Sequence, residues 1–268
     1  MAEWIVSFFS VTDPKTVKQI TDLVNSIPYA VWETLYSTMI ATLMAHLIGL
    51  PLGILLVTGA QDGVRPLPRP LMQILNVVVN LLRSVPFLIL MVMVMPLSRV
   101  ILGTTIGTPG ILVPLTVAAA PFVARLVESS LREMDRGLIE AAQAMGCSTF
   151  QIVWKVMLPE SLPSLLSGFT TAFITILGYG AMAGAIGGGG LGAMAMMDGW
   201  TQRQKVVLYT AVVVLVILVQ IFQSLGSRLS ARMDKRVTNR TARKNAQESS
   251  AGKIRRDKRS SGIHGSMR

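Results

Sequence analysis

Between Gly137 and Pro163 the chain reads GLIEAAQAMGCSTFQIVWKVMLPESLP, two short helical patterns set between long apolar segments. In the first, Leu138, Ala142 and Met145 recur at i, i+4 and i+7 and share one face, with Glu140 and Gln143 off it. Gly137 opens this helix and Gly146 closes it, at the position past a helix end that takes φ > 0. Ser148 and Gln151 stand at capping-box spacing. Phe150, Val153, Trp154 and Met157 then follow at i, i+3, i+4 and i+7 until Pro159 stops the run. The spacing predicts a helix, a glycine turn and a second helix, a polar hairpin over residues 134–164.

On either side of the hairpin lie candidate membrane spans. Ile111 to Val127 precedes it, with Pro114, Pro121 and a run of alanines suited to close helix packing. Leu165 to Ile186 follows it, rich in Thr, Gly and Ala as a crowded internal helix would be. Further upstream, Leu71 to Leu97 reads as one span with Arg83-Ser84-Val85-Pro86-Phe87 near its middle, where Pro86 implies a kink. A helix starting at Leu71 would carry Arg83 about 18 Å into the bilayer, facing the bundle interior. A later start would let Arg83 snorkel to a headgroup. Val31 to Val57 is the first span; it holds His46, read as a neutral hydrogen-bonded side chain or an intramembrane functional group, and Gly49-Leu50-Pro51-Leu52-Gly53, expected to loosen one end. Beyond the fourth span come the glycine turn GGGGLG (Gly187 to Gly192) and a fifth span, Val206 to Leu225. The turn is no phosphate loop, since no Gly-Lys-Ser/Thr follows it and no strand precedes it.

Composition agrees with this reading: 51% of the 268 residues are hydrophobic and 15% charged, against about 25% charged in a soluble domain. The expected fold is an all-α integral membrane protein with five transmembrane helices. Residues 1–29, with Trp4, Phe8 and Phe9 too few for a span, form an extracytoplasmic or interfacial lead-in. They make a poor signal peptide, because Glu3 stands where a positive start is expected. Residues 30–227 form the transmembrane domain. Residues 228–268 are expected to form a basic, disordered cytoplasmic tail that lies on anionic lipid and is dispensable for the function of the core. That tail holds thirteen of the 25 Lys and Arg residues, so the net charge of +11 does not imply a nucleic-acid partner for the core. Cys147 is the only cysteine, which excludes an intrachain disulfide. With the amino terminus outside, nineteen Lys and Arg fall on inner segments and five on outer ones, which places the hairpin and the carboxy terminus in the cytoplasm.

Catalytic patterns are missing. The sequence has no Walker A, no Gly-x-Ser-x-Gly, no second histidine inside the membrane and no paired membrane carboxylate. The remaining classes are a transport subunit and a channel or ion-coupled carrier, and the latter would show charged relays or an internal repeat.

Glu140-Ala141-Ala142, three residues, Gly146, nine residues, then Val156-Met157-Leu158-Pro159 resembles the EAA loop of bacterial ABC importer permeases, with Val156 where the pattern has Ile. RSVPF (Arg83 to Phe87), PLTVAAAPFVAR (Pro114 to Arg125), GLIEAAQAMG (Gly137 to Gly146), LPESLPSL (Leu158 to Leu165) and GAIGGGGLG (Gly184 to Gly192) are together similar to methionine-importer permeases, over most of residues 31–226. The amino-terminal extension and the basic tail depart from that compact form. The resemblance implies a type I ABC importer permease taking up methionine, the L and also the D form, with another amino acid or small solute of the same class as the alternative. It implies a homodimer in the bacterial inner membrane with two ATPase subunits, which bind ATP and Mg and leave this chain without a cofactor. An extracytoplasmic solute-binding protein or lipoprotein and membrane lipid complete the partners. It makes Gly137, Glu140, Ala141, Ala142, Gly146, Leu158 and Pro159 the ATPase-coupling loop. Arg83, Ser84 and Pro86 are the candidate pathway residues.

Overall fold

A computed structural model describes residues 14–233, with side chains from residue 21 onward. Trp4, Phe8, Phe9 and most of the basic tail lie outside the described residues. The described chain is helical. Four helices are long and apolar enough to cross a membrane, or five spans if one bent pair is counted as a crossing.

Helix α1 runs from Pro14 to Thr58, through Pro28 and Pro51. Its apolar stretch Thr21–Thr58 has 38 residues. At 1.5 Å per residue that is about 57 Å, well beyond the ~30 Å hydrocarbon core, so one end projects from the bilayer. The helix itself begins within the segment read as a lead-in, ahead of Val31. Gly49 and Gly53 do not loosen the helix; they seat it on α4 (Gly107–Arg132). A Cβ on Gly49 would stand 2.7 Å from Val123 Cγ1, and one on Gly53 would stand 2.6 Å from Val127 Cβ. Lipid supplies no hydrophobic drive between helices, so such close backbone approach is how a bundle gains dispersion contacts. Helix α4 is the centre of the molecule: Leu115, Ala119, Val123 and Val127 are buried against Ala41 and Ala45 of α1 and Ala172 and Ile176 of α7 (Leu162–Ala183).

The second span is not one kinked helix. Arg69–Ser84 (α2) and Phe87–Leu102 (α3) meet at 107°. Pro86 contributes no N–H and holds Val85 extended, at ψ 127°, as the residue before a proline must be. The polar edge of α2 explains its course. Asn76 and Asn80 accept hydrogen bonds from Arg125 Nη2 of α4 at 2.8 and 3.0 Å, and Glu128 pairs with both Arg125 and Arg132. Arg125, one of the nineteen basic residues assigned above to inner segments, lies within α4 as a half-buried guanidinium whose partners come from two helices, which is what makes its burial tolerable.

The short α5 (Arg136–Ala144) and α6 (residues 149–160) of the hairpin follow α4. Helix α7 extends through a 3₁₀ turn, Gly184–Ile186, into the glycine turn; α8, residues 190–201, is π-helical from Met194 to Thr201, and α9 is Lys205–Met233. Helix α8 had no counterpart in the sequence reading. Nor is α7 crowded all round: Gly178 and Gly180 face open space, and Thr170, Thr171 and Thr175 bond back to the carbonyls four residues earlier. A threonine satisfied within its own helix requires no neighbour. His46 behaves as the bland reading predicts, with Nδ1 2.8 Å from Thr42 O and its ring 4.7 Å from that of Phe169.

Candidate functional site

The hairpin is built from its caps. Asp135 accepts from Gly137 N at 2.9 Å, so α5 begins at Arg136 and runs to Ala144, one residue earlier than the glycine signal implied. At its far end Gly146 takes φ +77°. Its N–H bonds Gln143 O at 2.9 Å while the Cys147 N–H bonds Ala142 O at 3.1 Å, the paired bonds of a Schellman turn. Ser148 and Gln151 then form the expected reciprocal capping box, at 2.8 and 3.4 Å.

Helix α6, residues 149–160, contains a π-helical turn over Val153–Met157, where the Leu158 N–H reaches Val153 O. The wider turn redistributes the apolar residues. Val153 and Met157 go inward with Ile152, which the spacing had not picked out, and join Ala142, Leu131 and Met134 in the main core. Phe150 and Trp154 go outward, 69% and 56% exposed, with ring centroids 5.9 Å apart. On α5 only Ala142 of the predicted face is buried; Met145 is 76% exposed and Leu138 41%. The structure therefore corrects the two predicted apolar stripes. One set of side chains fixes the hairpin to the bundle, and another, Met145, Phe150 and Trp154, stands on the surface.

Glu140 and Ala141 are exposed, and Glu140 borders a hollow with Asp62, Arg132, Arg136 and Gln143. Arg136 donates to Asp62, tying the hairpin to the loop between α1 and α2. The Asp62 carboxyl is held below its ordinary pKa, first by a backbone N–H of its own residue and then by the Arg136 guanidinium. The tether is therefore present above the usual carboxylate range and is released as pH falls through the lowered value. Leu158 packs partly on the core, Pro159 is exposed, and Ser230 Oγ of α9 donates to Pro163 O at 2.7 Å. The hairpin, the α1–α2 loop and the end of α9 thus share one end of the bundle.

Arg83, Ser84 and Pro86 lie together at the α2–α3 break. Arg83 is exposed and lines an open hollow of about 170 Å³ with Phe87, Ala118, Phe122 and Tyr179. Ala118 and Phe122, which line the same hollow, lie near the middle of α4.

Sequence reasoning missed a group at the opposite end. The Glu33 carboxylate accepts the Gly190 N–H at 2.8 Å and the Thr108 hydroxyl at 2.9 Å, and Thr34 Oγ1 accepts from Leu191 N at 2.9 Å. Gly190 has φ +72°, and a Cβ there would stand 2.4 Å from Thr34 Oγ1. The glycine run was the available signal, since it marks where a backbone must approach another element closely. Glu33→Ala leaves two donors without an acceptor and is expected to lower stability by about 1–3 kcal/mol. Glu33→Gln, which keeps an acceptor oxygen, should lose less in the same thermal-unfolding comparison.

The described chain is a helical bundle with a capped, core-anchored hairpin at one end. The chain belongs to the family of binding-protein-dependent transport system inner membrane components, whose description matches residues 49–239. It is 52% identical over 149 residues to a Vibrio cholerae protein named probable D-methionine transport system permease protein MetI, across 56% of this chain and 66% of that one. That alignment stops just short of two thirds of the relative's length. The methionine import system permease protein MetP of Bacillus subtilis is 46% identical over 149 residues, across 56% of this chain and 67% of its own. Among solved structures, an inward-facing conformation of the MetNI methionine ABC transporter superposes with a TM-score of 0.76 at 42% identity, covering 80% of this chain and 99% of that one.

Proposed function

We propose that this chain is the permease subunit of an ATP-driven importer of methionine, in its L and D forms. The observation that carries the proposal is the exposed Met145, Phe150 and Trp154 patch on a hairpin otherwise locked into the core. Large aromatic side chains on a rigid projection fit a protein partner better than lipid or water. That partner is an ATPase subunit, one for each of two copies of the chain, and it holds the ATP and Mg. An extracytoplasmic binding protein or lipoprotein delivers the substrate. The methionine assignment is supported by the names of the relatives. The location is the bacterial inner membrane, with the amino terminus outside and the hairpin and carboxy terminus in the cytoplasm, an orientation supported by the excess of Lys and Arg on the inner segments. Nucleotide-driven movement of the docked hairpins rocks the spans and opens the pathway to each side in turn, past Arg83, Ser84 and Pro86.

Copurification of the complex followed by ATP-dependent uptake with a panel of amino acids tests this. Uptake of methionine ahead of the others is expected, and uptake of an unrelated solute with methionine ignored would overturn the assignment. Glu140 supplies a finer check. Its exposed carboxylate is placed to meet a basic group on the rim of the partner, and rim pairs contribute little affinity. Glu140→Ala should therefore copurify its ATPase normally while losing part of the substrate-stimulated hydrolysis measured in lipid vesicles.

A further inference from the structure

The hollow at the α2–α3 break carries chemistry that the coupling hairpin does not use. On one wall stands Arg83, which makes no ion pair or hydrogen bond with a described residue. The opposite wall is aromatic. Phe87 of α3 and Tyr179 of α7 stack with centroids 4.3 Å apart and planes 5° from parallel, and Phe122 of α4 lines the same space. Pro86, next to the lining residues Val85 and Phe87, has no N–H to return to the carbonyl of Leu82, another lining residue, so a hydrogen-bond acceptor is left at the end of α2. A guanidinium at mid-span is costly unless something meets it, and broken helices near the bilayer midplane are where transporters place substrate. The hollow is open and holds about 170 Å³, less than a drug-sized pocket, so it has room for one small solute only.

These groups match one ligand class. A carboxylate suits the Arg83 fork. An ammonium suits the Leu82 carbonyl and the ring faces, and a thioether packs well against aromatic rings. We propose that this hollow is a transit site for a free α-amino acid with an apolar, sulfur-containing side chain, its carboxylate on Arg83 and its side chain among Phe87, Phe122 and Tyr179. The inference rests on the methionine-importer reading and adds a substrate site within the permease itself.

The test uses the full complex in nanodiscs, without ATP or binding protein, with Cys147→Ser and a reporter Val85→Cys at the edge of the hollow. The rate of modification by a small neutral maleimide is measured with and without L-methionine; Leu82→Cys serves as a second reporter if the first does not insert. L-methionine should slow modification at least fivefold and norleucine less. L-methioninol, which lacks the carboxylate, should not slow it, and Arg83→Gln should abolish the protection. Unchanged rates in a complex that, sealed into vesicles with ATP and binding protein, still imports methionine would overturn the site and leave the importer reading standing. A reporter blocked without ligand would mean that the second copy closes the hollow. A rate that responds to replacing anionic lipid but not to methionine would put a lipid headgroup on Arg83. Either result overturns the proposal. A parent complex that imports no methionine removes the importer reading, and this inference with it.

Discussion

Gly146→Val should cost the complex most of its copurified ATPase, by a factor of ten or more, while the permease still inserts in the membrane. Gly146 holds φ +77° at the turn between α5 and α6. An L-residue there costs roughly 1–2 kcal/mol, a β-branched one more, and about 1.4 kcal/mol is tenfold in population. The two Schellman bonds, Gly146 N to Gln143 O and Cys147 N to Ala142 O, depend on that conformation. When it is lost, α6 leaves the hairpin at another angle and Phe150 and Trp154 no longer face the same way as Met145. The cause is separable from crowding, because a Cβ at Gly146 meets nothing within 4 Å. Gly146→Asn adds more atoms than alanine would but tolerates the left-handed region, so it should keep most of the assembly. If the valine variant retains the parent's ATPase and stimulated hydrolysis, the hairpin does not couple through its turn.

Trp154→Ala should weaken ATPase binding about thirtyfold or more with the permease fold unchanged. Trp154 is 56% exposed in the chain, so its removal opens no cavity in the core, and its ring contact is with Phe150, itself exposed. Aromatic anchors of this kind commonly contribute 2 kcal/mol or more to an interface. Met157→Ala is the contrasting variant: Met157 is fully buried, and its truncation should cost about 2–5 kcal/mol of stability in the permease itself. Titrating solubilised permease with ATPase subunit separates the two, since only Trp154→Ala should shift the affinity while leaving thermal unfolding in place. An unaltered affinity in Trp154→Ala would show that the patch is not the docking surface.

Local chemistry made the hairpin legible. Ser148, Gln151 and Gly146 each signal a backbone geometry that no distant contact has to supply, and all three are found as read. The long apolar runs likewise announce α4, α7 and α9. What was not legible depends on partners far apart in the chain. The π turn at Val153–Met157 shifted the inward set to Ile152, Val153 and Met157 because the core of α4 accepts those side chains, and a 3.6-residue period has no means of indicating the change. The break at Pro86 looked like a kink because a proline alone does not fix an angle. The polar pairing of Asn76 and Asn80 with Arg125, 49 and 45 residues away, directs α2. Glu33 was invisible for the same reason: its partner Gly190 is 157 residues further on.

The glycine seam between α1 and α4 has a mechanical consequence. With Gly49 and Gly53 pressed on Val123 and Val127, and with the hairpin joined to the foot of α4 through Leu131, Met134 and Ala142, these parts form one stiff lever. Helix α4 alone has 26 residues, about 39 Å, so a 10° tilt about its foot would sweep its other end through roughly 7 Å. Compliance must then reside where such packing is absent, at the Val85–Pro86 joint. Stiffening that joint would stall the stroke without touching the hairpin that starts it.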